Sequence, residues 1–70
     1  MKSTLKHRDV VVVELPNITP FKTTIRGYPF EGSEGEMVRI KTGDQLVDVE
    51  CVTKVAPGIK EWKGQKLIAW

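Results

Sequence analysis

The sequence holds one His, His7, one Cys, Cys51, and three Ser- or Thr-rich spots, none at the spacing of a known nucleophile motif. A general base must be oriented within hydrogen-bond reach of the proton it takes. His7 stands instead in the charged stretch Lys6-His7-Arg8-Asp9, which reads as solvated. Cys51 falls on the apolar parity of an alternating segment, where a free cysteine packs as a small hydrophobe. Asp48 and Glu50 share the polar parity of that segment, so they read as solvated carboxylates. No spacing assembles a nucleophile, a base and an oxyanion donor, and an enzyme is not expected.

Metal chemistry is equally poorly supplied. A zinc site draws about four ligands from Cys and His, and the chain holds two such residues in total. The acidic stretch containing Glu31, Glu34 and Glu36 lacks the alternating Asp and Asn ligands of a calcium loop. Neither a metal nor any other cofactor is expected.

Binding is the chemistry that remains. Eleven Lys and Arg against nine Asp and Glu leave a formal charge of only +2, so the field of the whole molecule is weak and placement matters more than the sum. Of the few aromatics, Tyr28 and Phe30 fall in a glycine-rich stretch and Trp62 in a lysine-rich one. Aromatics placed this way either plug the ends of a small barrel or anchor a partner, and Tyr and Trp are enriched among interface hot spots. The favoured contact set is therefore Tyr28, Phe30 and Trp62 as anchors, with Arg26, Arg39 and Lys41 as their polar rim. The alternative is a nucleic-acid binder using Lys2, Lys6, Arg8, Lys22, Lys60, Lys63 and Lys66, with Arg26 and Arg39 beside them. It supposes that the two termini meet and pool their cations, and that aromatics beside basic groups stack bases. A chain this weakly basic favours reading most outward lysines as solubilising.

The elements that position these residues are strands. Arg8 to Leu15 contains four consecutive valines, poor helix formers that pack well on a pleated surface. Val11, Val13 and Leu15 fall on one face and Val10 and Val12 on the other, so the strand should be central or covered on both sides. Pro16 ends it. Phe21 to Arg26 alternates Phe21, Thr23 and Ile25 against Lys22, Thr24 and Arg26, as a half-exposed strand does. Gly27 to Gly35 holds three glycines and a proline and is expected to be an exposed, irregular loop. Glu36 to Thr42 and Gln45 to Val55 then read as a hairpin, Val38 and Ile40 facing inward and Val47, Val49, Cys51, Thr53 and Val55 alternating in the second strand. Thr42-Gly43-Asp44 forms the turn between them. After Pro57-Gly58, residues 59–64 form a turn or one helical turn, and residues 66–70 a short closing strand.

Such short strands with frequent turn signals and no crossover helix predict an all-β fold, a small five-stranded antiparallel barrel of SH3-like type, with an OB-like barrel as the alternative. Seventy residues make one domain, with residues 1–70 sharing a single core that buries only about 60% of the unfolded chain's surface. A core of that size without covalent staples is marginal, which leaves room for a homo-oligomer or a permanent partner. The lone cysteine points to a reducing, cytoplasmic setting, and the longest apolar run, Val10 to Val13, is far short of the roughly 18 residues of a membrane span. Met1 at the start and the apolar end Leu67-Ile68-Ala69-Trp70 are what a complete small gene product is expected to show. The expected function is a non-enzymatic binding module, an accessory protein docking on a larger protein or assembly as regulator, inhibitor or structural component. Small modules of this kind are common among phage and plasmid genes.

Overall fold

The computed structural model describes residues 5–33 and 35–69. Lys2, Glu34 and Trp70, named above, lie outside them. The elements are β1 (Val10–Val13), β2 (Phe21–Gly32), β3 (Gly35–Ile40), β4 (Leu46–Asp48), β5 (Val52–Lys54), β6 (Glu61–Trp62), β7 (Gln65–Lys66) and β8 (Ile68–Ala69). Short 3-10 turns occupy Thr42–Asp44 and Val49–Cys51. The chain is mostly β, as the strand patterning requires, and no α-helix occurs among the described residues.

Five strands form one antiparallel path in the order β4-β3-β2-β1-β5, and β8 adds to β2 in parallel. Its outer strands, β4 and β5, do not pair with each other, so hydrogen bonds do not close the sheet into the expected barrel. The valine strand is central, between β2 and β5, and Val11, Val12 and Val13 are all fully buried. It begins at Val10 rather than Arg8, because Arg8 adopts a left-handed backbone (φ 76°) that ends extended pairing there.

The long strand β2 organises the molecule. Its first residues pair with β1, Phe21 opposite Val13 and Thr24 opposite Val10, and from Ile25 onward it pairs with β3. Passing between two ladders, it brings Phe21, Thr23 and Ile25 into the core with Leu5, Val11, Val13, Val38, Ile40 and Val47. The buried hydroxyl of Thr23 is satisfied there. Its Oγ1 accepts from Thr42 Oγ1 at 2.7 Å and from the Thr42 amide at 3.3 Å.

Three readings of the sequence are corrected. Gly27 to Gly35 is not an irregular loop: β2 continues to Gly32, with Phe30 opposite Met37 and Glu31 opposite Glu36. Gly27 (φ 80°) gives a bulge instead of an end, and two extra residues of β2 are accommodated between the Arg26–Arg39 and Phe30–Met37 pairs. Gln45 to Val55 is not one strand. Its first part pairs with β3 at one edge of the sheet and its last part with β1 at the other, and the 3-10 turn at Val49–Cys51 carries the chain across. Residues 59–69 do not form a turn and one closing strand. Glu61–Trp62 and Gln65–Lys66 make a two-stranded ribbon turning at Lys63 and Gly64, both at positive φ, and Ile68–Ala69 then lies along β2.

That C-terminal segment explains how Val12, on the face opposite Val11 and Val13, is buried. Lys22 is the cross-strand partner of Val12, and its Nζ donates to the carbonyls of Pro57 (3.0 Å) and Ile59 (3.1 Å). On the same face Glu14 meets Lys63 Nζ at 3.4 Å. The segment is thus strapped over the outside of β1. No described helix is long and apolar enough to cross a membrane.

Candidate functional site

Alternation along β2 and β3 puts Arg26, Met37 and Arg39 outward, since Ile25, Val38 and Ile40 point inward. Arg26 and Arg39 are direct cross-strand partners, and Lys41 follows Arg39 by two residues onto the same side. The bulge at Gly27 adds two residues and so leaves the alternation of β2 unchanged, and Phe30, opposite Met37, shares this outer face. Leu46, opposite Arg39, extends it onto β4. Phe30 is 44% exposed and Leu46 43%.

A groove of about 540 Å³ opens where the start of β1 meets the middle of β2 and the end of β3, a volume within the usual range of about 300–1,000 Å³ for ligand sites. His7, Arg8, Thr24, Arg26, Arg39 and Lys41 line it, and no carboxylate of the described residues does. Arg39 contacts Asp44 outside the lining, at 3.3 Å across an exposed pair that contributes little in water.

The N-terminal side of the groove is built with care. Arg8 reaches it from a left-handed backbone that costs a non-glycine residue roughly 1–2 kcal/mol. Its amide donates to the Ile25 carbonyl at 2.8 Å, and the Asp9 amide donates to Lys6 O at 3.0 Å. Beside it the Gly27 amide donates to His7 Nδ1 at 2.7 Å, so Nε2 carries the proton of the neutral ring. The Tyr28 ring stands 6.5 Å from the His7 ring, centroid to centroid, and is 67% exposed. It forms an aromatic rim to the cationic groove.

Of the residues singled out from sequence, Arg26, Arg39, Lys41, Tyr28 and Phe30 therefore gather on one face, and Arg8 joins them. Trp62 does not line this groove. It sits half-buried in the C-terminal ribbon, with Lys63 Nζ 5.8 Å from its ring centroid. Its buried indole N–H lacks a partner at full hydrogen-bond geometry. It is still near enough to Glu14 to be the main influence holding that carboxyl below its ordinary value, against desolvation and with help from Lys63. The C-terminal cations go elsewhere. Lys60 and Lys66 line a second groove of about 430 Å³ with Lys22 and Glu61, Lys22 is bound to backbone carbonyls and Lys63 is paired with Glu14. Lys6 stands apart from the groove, its amide donating to Asp9 Oδ2 at 2.9 Å.

Cys51 is half-buried in the 3-10 turn, where desolvation and then Asp48, Glu50 and Glu14 push its thiol up from the ordinary value. That is the opposite of an activated thiolate. Sequence reasoning did not find His7 as part of the groove, nor the Arg8 backbone that positions it, because both depend on the contact of residues 7–8 with residues 25–27. No family model matches this chain, and neither a curated protein nor a solved structure matches it.

Proposed function

We propose that this chain is a non-enzymatic binding module that docks on a larger, negatively charged partner or assembly through the outer face of β2 and β3. One observation carries the reading: Arg8, Arg26, Arg39 and Lys41 converge on a single groove that no carboxylate of the described residues lines. Arg26 and Arg39 lie directly opposite one another, and like charges so placed are destabilising in a free sheet. An anionic partner removes that penalty. Tyr28 and Phe30 supply the apolar contact beside the charges, and Arg26, Arg39 and Lys41 the polar rim. Docking of this kind suits an accessory protein, a regulator or structural component acting in the cytoplasm.

The scaffold we assign to it is a partly open barrel of SH3-like type. The reading rests on the path β4-β3-β2-β1-β5, the long strand shared by two ladders and the 3-10 turn between β4 and β5. Between β3 and β4, where the OB-like alternative would often carry a helix, the chain has only the 3-10 turn Thr42–Asp44.

The test compares wild-type chain with the R26E/R39E/K41E variant as bait in a native extract, with folding of both checked by circular dichroism. A partner retained by wild type in stoichiometric amount and lost by the variant supports the reading. A partner retained equally by both removes this face as the docking surface.

A further inference from the structure

We infer that the partner held by this face is a single-stranded nucleic acid, its phosphates in the Arg8, Arg26, Arg39 and Lys41 groove and its bases on Tyr28 and Phe30. The inference rests on the docking surface proposed above and names its ligand.

Charge alone would suit an acidic peptide equally well, so the aromatics decide. Tyr28 is the most exposed large apolar side chain of the described residues, at 67%, and its ring stands beside His7, which lines the cationic groove. Phe30 lies on the face of Arg39, one cross-strand pair beyond it. Flat exposed rings flanking a cationic track match the alternation of phosphate and base along a single strand, and every base has a face to stack. Carboxylate side chains of an acidic peptide offer the rings no such surface. A duplex keeps its bases stacked on each other, so it reaches only the charges. The paired guanidiniums of Arg26 and Arg39 fit phosphate, whose oxygens accept several N–H donors at once.

Two features indicate that the groove is built and not a chance meeting of surface lysines. Arg8 is held there in a left-handed backbone by the Ile25 carbonyl. His7 is fixed in one ring orientation by the Gly27 amide, next to Tyr28.

The experiment is fluorescence anisotropy of the full chain with fluorescein-labelled oligouridylate and oligothymidylate of roughly 12 nucleotides. A duplex of equal length and a labelled glutamate-rich peptide are run beside them. With about three phosphates contacted, affinity for the single strands should fall roughly 20-fold between about 50 and 200 mM salt, and R39A should lower the log–log salt slope by about 0.7. Y28A should weaken binding roughly 10-fold with the slope unchanged. K60A/K66A, in the other groove, should bind as wild type does. Preference for oligouridylate over oligothymidylate, or the reverse, assigns the ligand to RNA or DNA within the same class.

Duplex binding as tight as single-strand binding, with no effect of Y28A, overturns the inference. So does a K60A/K66A defect with R39A intact. If the glutamate-rich peptide binds in an R39-dependent way and the oligonucleotides do not, the nucleic-acid inference falls while the docking surface stands. The surface itself falls by the bait experiment above.

Discussion

Arg26 and Arg39 face each other across the β2–β3 ladder, and among the described residues no carboxylate lines the groove beside them. Like charges directly opposite in an antiparallel pair destabilise it, by about 0.2–1 kcal/mol. Arg26→Glu converts the repulsion into an attraction. It should raise Tm by about 1–8 °C for a chain of this size while weakening binding of any polyanion. Thermal melts at low salt check the first effect, and a fall in Tm would show that the two guanidiniums do not interact in the free protein.

Thr23 Oγ1 accepts from both the side chain and the amide of Thr42, tying the middle of β2 to the turn after β3. Thr23→Val keeps the shape and removes the acceptor, leaving two partly buried donors unpaired. The expected loss is about 1–3 kcal/mol, seen in urea as a lower midpoint with an unchanged slope. The T23V/T42V pair should cost less than the sum of its parts.

Lys22 Nζ holds the carbonyls of Pro57 and Ile59 and so straps the C-terminal segment over Val12. Lys22→Met retains the aliphatic stem and loses both bonds. Amide hydrogen exchange should accelerate at Leu67, whose amide bonds to Lys60 O, and in the ribbon of residues 61–66, with little change at Val11–Val13. Uniform acceleration across the chain would mean that the segment does not open independently.

Glu14 is kept below its ordinary value mainly by Trp62, with Lys63 adding to the effect. The folded chain therefore binds this proton less tightly than the unfolded chain does. Its contribution to stability is whole above the ordinary glutamate range and is lost as pH falls through the lowered folded value. Glu14→Gln should flatten that part of the acid limb in urea titrations at stepped pH.

The raised Cys51 thiol predicts slow alkylation. Near neutral pH, iodoacetamide should label the native chain roughly several-fold more slowly than the urea-unfolded chain, since the thiolate is the reactive form. Equal rates would show that neither burial nor the nearby acids protect it.

The valine strand, the core-facing parity of Phe21, Thr23 and Ile25, the inward Val38 and Ile40, and the Thr42-Gly43-Asp44 turn were legible in the sequence, because period-two alternation and turn chemistry are local properties. So was the outward set Arg26, Arg39 and Lys41, which parity alone determines. Other features required the fold. Gly27 reads as a loop breaker on its own, yet paired with β3 it becomes a bulge through which β2 continues, carrying Phe30 on the face of Arg39. Val49-Glu50-Cys51 alternates like a strand, but β4 and β5 pair at opposite edges of the sheet and the chain must turn between them. Lys22 reads as an outward cation and Trp62 as a plug or anchor until the C-terminal segment folds back onto β1. His7 and Arg8 enter the groove only because residues far along the chain offer them the Gly27 amide and the Ile25 carbonyl. Side-chain parity follows from the geometry of one strand, whereas the site follows from which strands lie side by side, and that is decided by burial of the core as a whole.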